Sequence, residues 1–181
     1  NLIPKPAKPV EEWRILDPSC GSGQFLIQFF KKLMPLYDER GYSPEESSRL
    51  IITNNLSGID IDPRAVMVAR FNLSRISGLR PEEIKIACHD FLFKDDLKTG
   101  EGIFPEKPYD IIVGNPPWGS RLSIEEKKYY KKTYTSSESG INTFTLFIER
   151  SFDFLHENGH LAYLIPEAYL NIKAHGASRK N

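Results

Sequence analysis

Apolar positions along this chain fall into short continuous runs that alternate with longer amphipathic stretches. Trp13–Arg14–Ile15–Leu16, Leu56 to Ile61, Ile84–Lys85–Ile86–Ala87, Tyr109 to Val113 and His160 to Ile165 read as five strands. In the fourth, Ile111, Ile112 and Val113 are β-branched and unbroken, the mark of a strand covered on both faces. The stretches between them keep a helical period. Phe25, Leu26, Phe29, Phe30 and Leu33 line one face of a helix ending near Pro35. Ser43–Pro44–Glu45–Glu46 opens a second helix, to about Asn54, with proline at its first position. Asp62–Pro63 caps a third, with Ala65, Val66, Ala69 and Leu73 inward and Gly78 at its close. Thr143 to His156 forms a last one, with Phe144, Phe147, Ile148, Phe152 and Leu155 inward, closed by Gly159. Strands alternating with helices predict an α/β fold: a doubly wound, mostly parallel sheet that stops after strand five.

The remaining segments are polar or punctuated. Residues 1–12 hold Pro4, Pro6 and Pro9 and read as an extended arm. Residues 94–108 are charged, contain glycine and proline, and form a loop. Residues 119–140 show no core pattern. Within them Glu125 to Lys132 reads as a surface helix whose lysines and tyrosines either touch a phosphate backbone or face solvent. Thr135 to Gly140 is small and polar, so mobile, beside the turn that follows strand four. The core therefore spans residues 13–172, with a polar tail over 173–181.

Composition narrows the class. The chain has 181 residues with 40% hydrophobic content, enough for one domain with a real core. No apolar run is long enough to cross a membrane. Cys20 and Cys88 are the only cysteines; they are far apart and have no zinc spacing, so the sequence predicts no metal site and a reducing, cytosolic setting. Lys and Arg total 24, as do Asp and Glu, for a net charge of zero. A self-sufficient DNA-binding domain is usually basic, so another segment would supply most of any grip on DNA.

Candidate chemistry gathers just after the strands. Asp17–Pro18–Ser19–Cys20–Gly21–Ser22–Gly23 joins strand one to its helix, where backbone N–H groups and the helix N-terminus meet a ligand. The third glycine of a dinucleotide fingerprint is absent, since Leu26 stands there. Asp60 ends strand two, placed either to accept from ribose hydroxyls or as a solvated turn carboxylate. Asp90 and Phe91 follow strand three. His89 reads as a half-buried turn residue and Cys88 as core packing. After strand four comes Gly114–Asn115–Pro116–Pro117–Trp118. Prolines donate no backbone hydrogen bond, so the turn offers free carbonyls, a side-chain amide and a flat ring. It is either a cradle for a planar amine or an ordinary turn with a core tryptophan.

Taken together these residues resemble the S-adenosylmethionine-dependent amino-methyltransferases, above all the gamma-class N6-adenine DNA methyltransferases of type IIG or type I restriction–modification enzymes. Asp17 to Leu26 resembles their motif I, Asp60 and Ile61 motif II, Asp90 and Phe91 motif III, and Asn115 to Trp118 motif IV, in the gamma-class order. Residues 142–166 resemble motifs V and VI, although Asn142–Thr143–Phe144 replaces the usual Asp-Leu-aromatic triplet, so no role passes to Asn142. The resemblance implies a Rossmann-like methyltransferase fold in a bacterial cytoplasm. It implies that Asp17, Cys20, Gly21, Gly23, Asp60, Ile61, Asp90, Phe91 and Asn115 bind S-adenosylmethionine. It also implies that Asn115, Pro116 and Trp118 act on an adenine flipped out of double-stranded DNA. A DNA-recognition domain would lie outside this chain. Asn115 and the Pro116 carbonyl would accept the two amino hydrogens, while Trp118 stacks on the base. No covalent intermediate is needed, so Cys20 is not a nucleophile. The alternatives are N4-cytosine, protein-glutamine or RNA-base methylation, or a scaffold that merely keeps the fold.

Overall fold

A computed structural model describes residues 8–94, 108–119, 122–137 and 140–165. Strands β1 (Ile15–Asp17), β2 (Leu56–Asp60), β3 (Ile86–Cys88), β4 (Tyr109–Gly114) and β5 (Leu155–Tyr163) form one sheet. Its order is β3-β2-β1-β4-β5, and every pairing is parallel. The strands' C-terminal ends therefore share one edge. The order reverses between β1 and β4, which creates the crevice where open α/β sheets bind ligands.

Helices cover both faces: α1 (Gln24–Asp38), α2 (Pro44–Leu50) and α3 (Pro63–Ser77), then α4 (Ile124–Thr133) and α5 (Thr143–Phe152). Side-chain alternation sorts the core into two layers. Ile15, Ile111 and Val113 pack with Leu26, Leu33 and Leu73 from α1 and α3. Leu16, Tyr109 and Ile112 pack on the opposite face with Tyr130, Leu146 and Phe147 from α4 and α5. Each such buried side chain contributes about 1.5–3 kcal/mol. The caps of α2 and α3 sit where the sequence puts them. Ser43 and Glu46 form a reciprocal capping box, Asp62 accepts from the Arg64 N–H, and Gly78 closes α3 at φ 75°.

Several elements depart from the sequence reading. α1 does not end near Pro35 but runs to Asp38. Beyond the proline, Tyr37 is fully buried and its hydroxyl donates to Asn55 Oδ1 at 2.8 Å, so tertiary anchoring outweighs the lost helical hydrogen bond. The second helix changes to a π turn over Ile51–Asn55. The Asn55 amide donates to the Val10 and Trp13 carbonyls, and Val10–Glu12 coils into a single 3-10 turn instead of extending. Cys88, read as core, is exposed at the end of the edge strand β3.

The last helix and strand also shift. α5 stops at Phe152, and Gly159 does not close it. The Phe154 carbonyl accepts from Tyr109 N–H at 2.7 Å, which draws the chain into the sheet by Leu155. Tyr109 pairs with Leu155 and Ile111 with His160, so the intervening residues of β5 bulge out, Gly159 among them. A Cβ there would lie 2.7 Å from the Leu155 side chain. The segment after Trp118 has more core than its pattern suggested: Tyr130, Tyr134 and Ser137 are buried. Thr135–Ser137, expected to be mobile, forms a 3-10 turn whose Thr135 and Ser136 N–H groups donate to Glu149. Expectations for residues 1–7, 95–107 and 166–181 lie outside the described residues.

Candidate active site

Motif-bearing residues converge on the crevice at the C-terminal edge of the sheet. The turn after β1 uses glycine where backbone demands it. Gly21 has φ 52° and Gly23 φ 83°, both in the left-handed region. A Cβ on Gly23 would also press on Ala69 of α3 at 3.3 Å. The Cys20 N–H donates to the Ile59 carbonyl at 2.9 Å, tying the turn to β2. Asp60 finishes the tie: its carboxylate accepts from Gly21 N–H at 2.8 Å and Asp62 N–H at 3.0 Å. The acid at the end of β2 thus orders both the glycine turn and the start of α3.

Asp17 is wholly buried at the end of β1. One oxygen accepts from Ser19 N–H at 3.1 Å, and the other, Oδ2, has no partner among the described residues. Burial raises its carboxyl from the usual range to about 8, against the lowering effect of the Ser19 hydrogen bond. Burial also pushes the Cys20 thiol well up, and the charges of Asp17 and Asp60 add to this. A thiol held protonated is a poor nucleophile. Its sulfur lies beneath the turn, 3.1 Å from where a Gly58 Cβ would stand.

Gly114 is the close approach between β4 and β1. A Cβ there would fall 2.8 Å from Asp17 Oδ1 and 3.4 Å from Ser19 Oγ. Gly114→Ala is expected to destabilise the chain by about 1–3 kcal/mol, read from urea unfolding, because the added methyl presses on the wholly buried Asp17. An unchanged midpoint would show that the turn gives way freely.

The turn after β4 carries an exposed asparagine, Asn115, followed by a buried proline, Pro116. Asn115 is exposed, and neither its amide nor the Pro116 carbonyl carries a hydrogen bond among the described residues. The Pro117 carbonyl, by contrast, is taken: Thr143 Oγ1 at the start of α5 donates to it at 2.7 Å. Trp118 is 51% exposed, so it is not the core tryptophan of the alternative reading.

A cleft of about 350 Å³ collects these ends. Asp60 and Ile61, Asp90 and Phe91, and Asn115 and Pro117 all line it, together with Pro18 and Ser19 of the first turn. Asp90 Oδ1 accepts from Leu92 N–H at 2.9 Å, and Arg150 Nε donates to the Phe91 carbonyl at 3.3 Å, holding this stretch against α5. Asp17, Cys20, Gly21, Gly23, Pro116 and Trp118 are not among its lining residues. Reading the sequence missed the far wall: Leu122, Glu126 and Tyr130 beside α4, and Thr143 and Phe147 of α5. No local pattern marks them, since they reach the cleft only through packing. Among the described residues no group of three His, Cys, Asp or Glu is placed to hold a metal ion, and no helix is long and apolar enough to cross a membrane.

Comparison with known proteins places this arrangement. The chain is 30% identical over 173 residues to the type II methyltransferase M.VspI of Vibrio sp. (strain 343), covering 96% of this chain and 36% of that protein. It is 40% identical to the adenine-specific methyltransferase BrxX of Escherichia coli O9:H4 (strain HS), covering 98% of this chain and 23% of that one. The chain thus spans about a third or less of the length of these relatives. Among solved structures, the M protein of the type I restriction enzyme EcoKI superposes with TM-score 0.68 at 17% identity, over 94% of this chain and 33% of that chain. A type ISP enzyme, LlaGI, in complex with a DNA substrate mimic gives TM-score 0.69 at 19% identity, over 93% of this chain and 17% of that one. These likenesses show the fold. The DNA-methyltransferase domain of MmeI matches residues 4–80, and the family described as Eco57I restriction-modification methylase matches residues 54–181. The chain belongs to the Eco57I restriction-modification methylase family.

Proposed function

We propose that this chain is the catalytic segment of a DNA methyltransferase that moves a methyl group from S-adenosylmethionine to the N6 amine of adenine, within a restriction–modification system. The observation that carries the reading is the placement of Asn115, whose amide makes no hydrogen bond among the described residues, on one crevice with Asp60 and Asp90, the unbonded Pro116 carbonyl standing next to it in the chain. Relatives named as adenine-specific methyltransferases support adenine as the base.

The residues fit the cofactor. Asp17 Oδ2 is a buried oxygen without a partner among the described residues, beside the glycine turn and suited to a cationic amine. Asp60 has the strand-end position that suits ribose hydroxyls, and Asp90 with Phe91 offers an acceptor and an apolar face for an adenine ring. Bound S-adenosylmethionine would supply an electrophilic methyl on a positively charged sulfur. The protein's task is then to make an aromatic amine nucleophilic. Its lone pair is delocalised into the ring, and two acceptors on its hydrogens draw the nitrogen toward tetrahedral geometry. As positive charge develops on nitrogen, Asn115 Oδ1 and the Pro116 carbonyl stabilise it more than the ground state. The exposed ring of Trp118 is free to stack on a base turned out of the duplex. Recognition of a specific DNA site belongs to segments outside this chain.

The test is incubation of the full-length protein that carries this chain with S-adenosylmethionine and duplex DNA, followed by nucleoside mass spectrometry. N6-methyladenine is expected. N4-methylcytosine would transfer the same chemistry to the other exocyclic amine, and no product with either base would overturn the reading. Calorimetry tests the cofactor separately. Asp60→Ala is expected to weaken S-adenosylmethionine binding tenfold or more, because it removes a ribose acceptor and releases the Gly21 N–H, at about 1.4 kcal/mol per tenfold. Equal affinity in that variant would remove Asp60 from the site.

A further inference from the structure

We propose that the outer face of α4 is a seat for the phosphate backbone of DNA, resting on the reading of the crevice as a DNA methyltransferase site. Lys127, Lys128, Lys131 and Lys132 are exposed on this helix. At 100° per residue they span an arc of roughly 140°, along a helix about 15 Å long. The acids of α4, Glu125 and Glu126, stand in its first turn, and Glu126 is occupied in a capping box with Ser123.

Among the described residues these four lysines make no ion pair or hydrogen bond. The other described arginines and lysines are mostly engaged. Lys8, Arg40, Arg49, Arg64, Arg80, Lys94 and Arg150 are in ion pairs. Arg70 and Lys85 bond to the Ile86 and Thr53 carbonyls, and Arg14 has a partner. Among the described residues, only Lys31, Lys32 and Arg75 share the free state of the α4 side chains. Those three lie on α1 and α3, across the sheet from α4.

Position gives the lysines a partner. The inner side of the same helix, through Glu126 and Tyr130, walls the cleft that holds Asn115 and Pro117. The outer face of α4 therefore lies beside the cleft, within reach of the backbone of a duplex that delivers a base into it. The helix is also fixed. Tyr129 stacks on Phe93 with centroids 4.5 Å apart, and the Tyr134 hydroxyl just past its end donates to the Leu92 carbonyl. Ile124, 85% exposed, opens the same face. A rigid, unneutralised cationic face beside a base-sized crevice is what polyanion binding requires, and condensed counterions supply the driving force when they leave.

The experiment compares two triple variants with equal loss of charge. Lys127→Gln/Lys128→Gln/Lys131→Gln removes three cations from α4, and Lys31→Gln/Lys32→Gln/Arg75→Gln removes three from the opposite layer. Binding of the chain to a fluorescent duplex is followed by anisotropy across a salt series, with calorimetry of S-adenosylmethionine alongside. The α4 variant is expected to lose at least tenfold in DNA affinity at low salt. Its log–log salt slope should shrink by about 2–3, at about 0.9 per phosphate contact. The control should keep both values, and cofactor affinity should stay unchanged in each. Equal losses in the two variants, or no loss in either, would overturn the α4 seat. Failure of the unsubstituted chain to bind S-adenosylmethionine would instead overturn the reading beneath it.

Discussion

Asn115→Ala is expected to lower methyl transfer by about 10²–10³-fold, the range found when one preorganised polar group aimed at developing charge is removed. Cofactor affinity should fall far less. The structure explains why the two effects separate. The Asn115 side chain is exposed and makes no hydrogen bond among the described residues, so its loss leaves the fold and the glycine turn untouched. The turn itself is held from elsewhere, by Thr143 on the Pro117 carbonyl and by Leu164 N–H on the Gly114 carbonyl at 3.0 Å. Transfer is measured with a radiolabelled methyl donor under saturating cofactor, and affinity by calorimetry. Unreduced transfer would sink the mechanism; a loss of cofactor affinity as large as the loss of rate would move Asn115 from acting on the amine to holding the cofactor.

Asp17→Asn is expected to stabilise the ligand-free chain while weakening its hold on S-adenosylmethionine. Asp17 is raised from 3.8 to about 8 by burial. Between those values the folded chain holds a proton that the unfolded chain has released, so stability falls as pH climbs through this window. Below pH 4 both states are protonated and the cost disappears. Each pH unit of this linkage is worth about 1.4 kcal/mol, and the unpaired amide of the variant returns part of it, leaving a gain on the order of 2 kcal/mol at pH 8. Urea midpoints at pH 5 and pH 8 read the difference: the variant should be the more stable at pH 8, with the gap narrowing at pH 5. A cationic amine against Oδ2 would favour the ionised carboxylate, so cofactor binding near pH 7 should release close to one proton, detected by calorimetry in buffers of different ionisation heat. A stability profile parallel to that of the native chain would place the proton elsewhere.

Asp17 and Gly114 show why much of the site was readable before the fold. Each conspicuous residue type follows a strand, and parallel strands bring their C-terminal ends to one edge whatever their order. The left-handed turns at Gly21 and Gly23 and the cap at Asp62 are local necessities of backbone geometry, so short spacing carries them. The opposite wall is different. Tyr130, Thr143 and Phe147 reach the cleft because α4 and α5 pack over β4, and residues that meet across long stretches of chain leave no local period. The same limit explains Pro35 and Gly159, where proline and glycine suggested helix ends that long-range contacts at Tyr37 and Phe154 overrode.

The sequence by itself determined the alternation of strands and helices, the caps of α2 and α3 and the identity of the strand-end residues, because these depend on neighbours a few positions away. Tertiary structure alone decided the strand order with its reversal between β1 and β4, the buried and partly unpaired state of Asp17, and the capture of the Pro117 carbonyl by Thr143. It also decided which lysines stay free. Each of these depends on which distant groups are excluded from water together, and desolvation is a property of the packed chain rather than of any segment within it.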